Sequence, residues 1–208
     1  MSNFPVYSAC DLISTENSES EIVVHELQDL LTEKSFIPEK PHRHTFHQIL
    51  YVEKGAGIHK IDFEDYSIDS PIIYFISAGQ VHDLNFKKQV TKGYLINFNA
   101  EFFTSFLAKS HCIDELPFFR INGNFTSYQI KQEKAEELKE IFDKINFEYK
   151  QQKRKSEDLI RIYLLELFYF ILNDEENTDE NINITNQRIL INKFQKLVEE
   201  NYTAEHYP

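Results

Sequence analysis

FHQILYVEKGAGIHKIDF, residues 46–63, contains two runs of strand-forming residues around a short glycine-containing turn. The runs at residues 46–54 and 57–63 are rich in β-branched and aromatic side chains, which favour strands. Gly55 and Gly57 tolerate positive φ, so the segment between the runs predicts a hairpin connection. A nucleotide-binding loop is not indicated, because a strand rather than a helix follows and the third glycine of that motif is missing.

Further strand-like runs lie on both sides of this segment, at residues 21–27, 71–77, 81–86 and 93–98. A succession of short strands separated by turn signals predicts a sandwich or a barrel. The spacing of apolar residues changes after the run at residues 93–98. Residues 101–107 predict a short helix, and from Lys131 onward apolar residues recur at steps of three and four. The predicted fold class is therefore α+β, with an N-terminal antiparallel β-barrel followed by a helical segment.

The helix predicted from Ser156 to Leu172 has almost no polar face. Apolar residues fill nearly every position from Leu159 to Phe170, interrupted by Arg161 and Glu166. The barrel on one flank and the preceding helix on another would leave part of this surface uncovered. We therefore predict a homodimer in which this helix contributes to the subunit interface.

The last part of the chain predicts a boundary between domains. Residues 174–186 carry five acidic residues, no basic ones and few apolar groups, as is typical of a linker. An amphipathic helix follows, but one helix cannot form a domain. The predicted organisation is a barrel at 1–125, a helical dimerisation segment at 126–173, an acidic linker at 174–186 and the start of a second domain at 187–208.

Composition and charge exclude several functional classes. The 208 residues include 22 Lys and Arg against 34 Asp and Glu, and the net charge of −12 disfavours binding to a phosphate backbone. The N-terminus lacks the cationic start and long apolar run of a secretory signal, and no stretch is apolar enough to span a membrane. Cys10 and Cys112 lie far apart, which suits a reducing compartment. We expect a cytoplasmic protein without a membrane partner.

The densest chemical signal is PHRHTFHQ, residues 41–48, with a further histidine in SAGQVH, residues 77–82. Alternate residues of a strand share a face. One face is therefore predicted to carry His42, His44, Phe46 and Gln48, and His82 is expected to join them. Such a set inside a barrel can bind a transition metal, contact an organic effector, or lie buried and hydrogen-bonded without any ligand.

These positions resemble the cupin motif pair, in which His-x-His, a carboxylate and a glycine precede Pro-x-Gly-x-x-His on a later strand. The matching positions are His42, His44, Gln48 and Gly55, then Ser77, Gly79 and His82. Gln48 stands where metal-binding cupins usually carry Glu, and Ser77 replaces the proline. A neutral amide supplies no charge to offset the desolvation of a divalent cation, so the change weakens a metal site.

The whole chain resembles the AraC-type family of bacterial transcription regulators. The segments that carry the resemblance are YVEKGAGIHKIDFEDYSI at 51–68, IIYFISAGQVHDL at 72–84 and KGYLINFNAEFF at 92–103. NQRILINKFQKLVEENY at 186–202 is similar to the first helix of the family's DNA-binding domain. The resemblance implies a cupin-like barrel, a double-stranded β-helix, that binds a small effector and dimerises ahead of two helix-turn-helix units. It implies neither a catalytic residue nor a cofactor.

On this resemblance, a small-molecule effector contacts His42, His44, Phe46, Gln48 and His82. Effector binding controls promoter binding by a C-terminal domain that lies beyond Pro208. Residues 1–208 lack both recognition helices, and we predict that they do not bind DNA specifically.

The alternative function is a metal-dependent cupin enzyme, a dioxygenase or an isomerase. It would hold a divalent transition metal on His42, His44 and His82, with Gln48 as a further ligand. A carbohydrate-binding module is a third option, and no feature of the sequence distinguishes it.

Overall fold

The computed structural model describes residues 4–8, 21–32, 38, 40–87, 90–104, 116–119, 125–153 and 155–176. The elements within these residues follow one another in this order: β1 (Val6–Tyr7), β2 (Ile22–Glu26), α1 (Leu27–Thr32), β3 (Arg43–His44), β4 (His47–Lys54), β5 (Ala56–Ile61), β6 (Glu64–Asp69), β7 (Ile72–Ile76), β8 (His82–Phe86), β9 (Lys92–Phe98), α2 (Glu101–Thr104), β10 (Ser127–Gln129), α3 (Ala135–Gln151) and α4 (Ser156–Glu176). Short 3₁₀ turns lie at Pro117–Phe119 and Gln132–Lys134.

The described strands form three sheets. A five-stranded sheet has the order β10-β7-β4-β9-β2, and a three-stranded sheet has the order β6-β5-β8; all neighbours in both are antiparallel. The short strands β1 and β3 pair in parallel. Antiparallel sheets followed by helices confirm the predicted α+β class.

The predicted hairpin at Gly55 is wrong. β4 pairs with β7 and β9, whereas β5 pairs with β6 and β8, so Gly55 carries the chain from one sheet to the other. The observed hairpin joins β5 to β6 through Asp62 and Phe63, both at positive φ (48° and 75°). The Asp62 carboxylate stabilises this turn by accepting hydrogen bonds from the Val81 backbone N–H (3.1 Å) and from Gln80 Nε2 (2.7 Å).

The five-stranded sheet is covered on both faces. Its inner face shares a buried cluster with α1, β5 and β6, consisting of Leu27, Leu30, Leu50, Val52, Ile61, Ile68, Ile72, Tyr74 and Ile76. The alternate residues of its strands point to the outer face, where Phe75 packs against Phe118 with ring centroids 4.6 Å apart. On the same face Tyr51 stacks on Phe142 of α3 at 4.3 Å.

The helices largely follow the sequence pattern. The stripe predicted for α3 is buried at Leu138, Ile141, Phe142 and Ile145. α4 begins at Ser156 as predicted but continues to Glu176, into the first residues of the expected linker. The chain divides into two compact units between Leu167 and Phe168. The remainder of the linker and the helix expected after residue 186 lie outside the described residues.

No helix in the described part of the chain combines the length and apolar character that a membrane span requires.

Candidate functional site

Four buried histidines lie together beside the three-stranded sheet, and we refer to them as the histidine cluster: His42, His44, His59 and His82. The ring centroids of His42 and His82 are 4.3 Å apart, and those of His44 and His82 are 4.9 Å apart. His59 reaches His82 from β5, with ring centroids 5.4 Å apart. The structure thus brings the three predicted histidines into contact and adds a fourth.

Backbone pairing fixes the positions of these side chains. His42 and His82 exchange two backbone hydrogen bonds of 3.0 and 2.9 Å, which join the start of β3 to the start of β8. The Gly79 N–H donates to the His44 carbonyl at 2.9 Å, and Gly79 adopts a φ of +85°, a conformation that favours glycine. The turn before β8 is therefore held directly against the strand that carries His44.

The rings of the cluster are only partly hydrogen-bonded. Nδ1 of His42 contacts the Lys40 carbonyl at 3.0 Å, and Nδ1 of His44 contacts the Phe46 carbonyl at 2.6 Å. His59 Nε2 and His82 Nδ1 are 3.1 Å apart and share one hydrogen bond. Three buried ring nitrogens have no hydrogen-bond partner among the described residues: His44 Nε2, His59 Nδ1 and His82 Nε2.

Burial keeps the four rings neutral near pH 7. Desolvation is the main cause that lowers the pKa of His44 to about 4 and that of His59 to about 3, and repulsion from neighbouring imidazoles adds to it. The pKa of His82 lies well below its usual value for the same reasons, and burial also lowers the pKa of His42. The cluster therefore offers uncharged hydrogen-bonding groups.

Two other predicted site residues have different surroundings. Phe46 is fully buried and stacks on the His44 ring, with centroids 4.3 Å apart and nearly parallel planes. Gln48 is buried as well, but its side-chain amide donates to Asn97 Oδ1 on β9 at 2.9 Å. Phe46 thus adjoins the histidine cluster, whereas the Gln48 amide is engaged within the five-stranded sheet.

His59 is not among the site residues predicted from the sequence. It is fully buried, and it contacts His82 on one side and the Tyr74 ring, at 4.8 Å, on the other. The alternation of β5 places His59 on the same face as Gly57 and Ile61, but the local sequence does not show that this face is the buried one.

The described residues do not fit the metal site of the alternative function. Among them, no group of three or more His, Cys, Asp or Glu side chains is arranged to hold a metal ion. Gln48, the fourth candidate ligand, is engaged elsewhere, because its side-chain amide donates to Asn97. We therefore derive no metal chemistry from this site.

Among solved structures, the chain is similar to apo ToxT K231A from Vibrio cholerae strain SCE256, with 13% identity and a TM-score of 0.45. The similar region covers 78% of this chain and 59% of that chain, so the present sequence spans less than two thirds of that protein. No curated protein matches the sequence significantly.

The family model for the AraC-like ligand binding domain matches residues 34–168, well over half of the chain. The matched region contains the whole histidine cluster, the three-stranded sheet and four strands of the five-stranded sheet; β2 precedes it. The chain therefore belongs to the family of AraC-like ligand binding domains.

Proposed function

We propose that this chain is the effector-sensing and dimerisation portion of an AraC-type transcriptional regulator that acts in the cytoplasm. The observation that carries the proposal is the family match over residues 34–168, which includes a cluster of buried histidines with unpaired nitrogens. Unpaired buried polar atoms are rare because each costs about 1–3 kcal/mol, and a bound small molecule can supply the missing partners. The site is proposed to bind an effector rather than to catalyse a reaction.

The effector site is proposed to centre on His42, His44 and His82, with Phe46 beside them. His59 extends the set that we predicted from sequence, because it is hydrogen-bonded to His82. Gln48 is proposed to affect the effector site indirectly, through its hydrogen bond to Asn97, which joins β4 to β9. Binding can control the regulator only if the effector has different affinities for two arrangements of the protein.

Metal analysis tests the choice between a sensor and an enzyme. Protein purified without added metal is expected to contain no stoichiometric Fe, Mn or Ni, and treatment with EDTA should leave its thermal unfolding unchanged. One equivalent of a transition metal per chain, lost together with stability on chelation, would support the enzyme instead.

We propose a homodimer that uses helix α4 and the neighbouring surface of α3. Ile162 on α4 is 46% exposed and Phe147 on α3 is 59% exposed, so a second subunit would bury apolar surface by covering them. Sedimentation at micromolar concentration should show a dimer, and Ile162→Glu should weaken it. A wild-type chain that sediments as a monomer would contradict this part of the proposal.

Promoter binding is proposed to require a helix-turn-helix domain following residue 208. A gel-shift titration compares residues 1–208 with a longer chain that includes both helix-turn-helix units, on the DNA upstream of the native operon. The short chain should not retard this DNA, whereas the longer chain should do so, with an affinity that falls steeply as salt increases. Specific retardation by the short chain would show that the DNA-binding surface lies elsewhere.

A further inference from the structure

The hydrogen bonds of the histidine cluster define what a ligand must supply. The Lys40 and Phe46 carbonyls accept from Nδ1 of His42 and His44, respectively, so each of these Nδ1 atoms carries the ring proton. In a neutral imidazole the other nitrogen is then a bare acceptor. The buried Nε2 of His44, which has no partner, therefore needs a hydrogen-bond donor.

The pair formed by His59 and His82 can adopt either of two proton arrangements. If His59 Nε2 donates to His82 Nδ1, then His82 Nε2 carries a proton and becomes a donor. If the shared hydrogen bond runs the other way, His82 Nε2 is an acceptor. His82 Nε2 is buried and unpaired, so a ligand atom beside it selects one of the two arrangements.

The surroundings disfavour a charged ligand. Among the described residues, no carboxylate hydrogen-bonds to the four rings, and Asp83 acts electrostatically on His42 but not on His44 or His82, so an ammonium group between those two rings would lack a paired counter-charge. An anionic ligand would require a protonated imidazole, and burial opposes this because it lowers the pKa of every ring in the cluster. An uncharged group that can both donate and accept a hydrogen bond fits both constraints.

We propose that the site selects an uncharged ligand through one hydroxyl group, which donates to His44 Nε2 and accepts from His82 Nε2–H. This inference rests on the proposed function, since it names the class of effector for the same site. The rings of His44 and His82 are direct neighbours, with centroids 4.9 Å apart, so one ligand group lies within reach of both side chains. The hydroxyl would complete a continuous chain of hydrogen bonds from His59 through His82 and His44 to the Phe46 carbonyl.

The test uses the 1–208 chain labelled with ¹⁵N-histidine and four matched aromatic probes. Phenol carries the hydroxyl, anisole lacks the donor, benzylammonium is a cation and benzoate is an anion. Nitrogen chemical shifts report the proton position on each ring. Without a probe, at pH 7.5, His42 and His44 should be protonated on Nδ1. Phenol should saturably shift His44 Nε2 and His82 Nε2 and fix the proton of His82 on Nε2.

Phenol should bind at least about tenfold more tightly than the other three probes, because it is the uncharged probe that can both donate to His44 Nε2 and accept from His82 Nε2–H. His44→Phe keeps an aromatic ring beside Phe46 but removes the acceptor, and it should abolish the preference of phenol over anisole. The control His25→Gln changes a histidine on β2, outside the cluster, and should retain that preference.

Three results would overturn the inference. His44 protonated on Nε2 in the free protein would contradict the hydrogen-bond assignment. Saturation by benzoate or benzylammonium but not by phenol would show a ligand site of the wrong class, which leaves the proposed function intact. The absence of any shift at the cluster with phenol at millimolar concentration would reject the hydroxyl site, while sedimentation and the gel shift decide the proposed function separately.

Discussion

The five-stranded and three-stranded sheets bury their residues in different ways. In β7 every residue from Ile72 to Ile76 is buried, because both faces of the five-stranded sheet are covered. In β5 burial alternates, so that His59 and Ile61 are buried while Ile58 and Lys60 are exposed. The three-stranded sheet thus has a single covered face, on which polar side chains meet the core.

The five-stranded sheet thus supports the fold, whereas the polar atoms of the proposed site lie in and beside the three-stranded sheet. The unpaired nitrogens of His59 and His82 belong to strands of the three-stranded sheet, and that of His44 belongs to the adjacent β3. A buried polar atom without a partner costs about 1–3 kcal/mol, so the histidine cluster contributes unfavourably to stability. The aromatic layer on the outer face of the five-stranded sheet can offset this cost, because each fully buried large apolar side chain contributes about 1.5–3 kcal/mol.

The largest effect is expected on acidification, because the buried histidines in and beside the three-stranded sheet oppose protonation in the folded state. The unfolded chain binds protons at its histidines below about pH 6.5, whereas buried His44 and His59 stay neutral down to about pH 4 and about pH 3, respectively. Stability should therefore be full above pH 6.5 and should fall as the pH decreases, by about 2 kcal/mol per buried histidine between pH 7 and pH 5. Urea unfolding measured across this range gives the slope.

The matched variant for this measurement is His59→Leu, which removes one buried titrating group. The slope of its unfolding free energy against pH should be smaller than that of the wild type, by the equivalent of about one bound proton. A wild-type stability that stays constant between pH 7 and pH 5 would show that the cluster is not buried and neutral.

The next largest effect is expected from the outer face of the five-stranded sheet. Phe75→Ala should lower the free energy of unfolding by about 3–5 kcal/mol, since the ring is 1% exposed and packs among other aromatic rings. Ile58→Ala on the open face of the three-stranded sheet should cost less than about 1 kcal/mol, because Ile58 is 42% exposed. Equal losses in urea denaturation would remove the distinction between the two sheets.

A smaller effect should come from a polar contact between the five-stranded sheet and α3. The Tyr94 hydroxyl on β9 donates to Asp143 Oδ1 on α3 at 2.7 Å. Tyr94→Phe removes this hydrogen bond but keeps the ring beside Phe142, so we expect a loss of about 1 kcal/mol in thermal or urea unfolding. The control Tyr66→Phe removes a hydroxyl that donates to Glu64 at the surface, and it should change stability less.

The smallest effect is expected at the outer face of the three-stranded sheet. Lys60 and Asp65 form a 3.3 Å ion pair between β5 and β6, and both side chains are more than half exposed. Water and salt screen such pairs, so Lys60→Ala should cost no more than about 0.5 kcal/mol. The difference in unfolding free energy between Lys60→Ala and the wild type should vanish in 0.5 M NaCl. A loss of stability that persists in salt would instead indicate packing of the aliphatic part of the lysine side chain.

Local patterns were sufficient to predict six strands but not how they pair. β6 was missed because EDYSID contains a single buried residue, Ile68, and because no glycine marks the preceding turn. The hairpin at Gly55 was wrong for a related reason. A glycine permits a sharp change of direction equally well within one sheet or between two, and only the long-range register distinguishes the cases.

The candidate site could also be predicted only in part, because local patterns do not show which strands lie side by side. His42 and His44 were recognisable from their spacing, and both are buried as expected of residues that share a face. The alternation of burial continues through Phe46 to Gln48, but the chain bends at Thr45 and Phe46 and the Gln48 amide donates to Asn97 rather than to the cluster. His59 was not recognised because GIHKI places one isoleucine on each face, so its local sequence leaves open which face points inward.

Gly57 sets a limit on how the response of this protein can be lost or altered by mutation. A Cβ at this position would lie 2.2 Å from the Asn85 carbonyl oxygen and 2.9 Å from the Phe86 Cα, both on the backbone of β8. An alanine allele would therefore push away the strand that carries His82, although it changes no polar atom and lies at the opposite end of β8. Genetic screens for regulators that no longer respond should recover such alleles alongside changes in the histidines themselves.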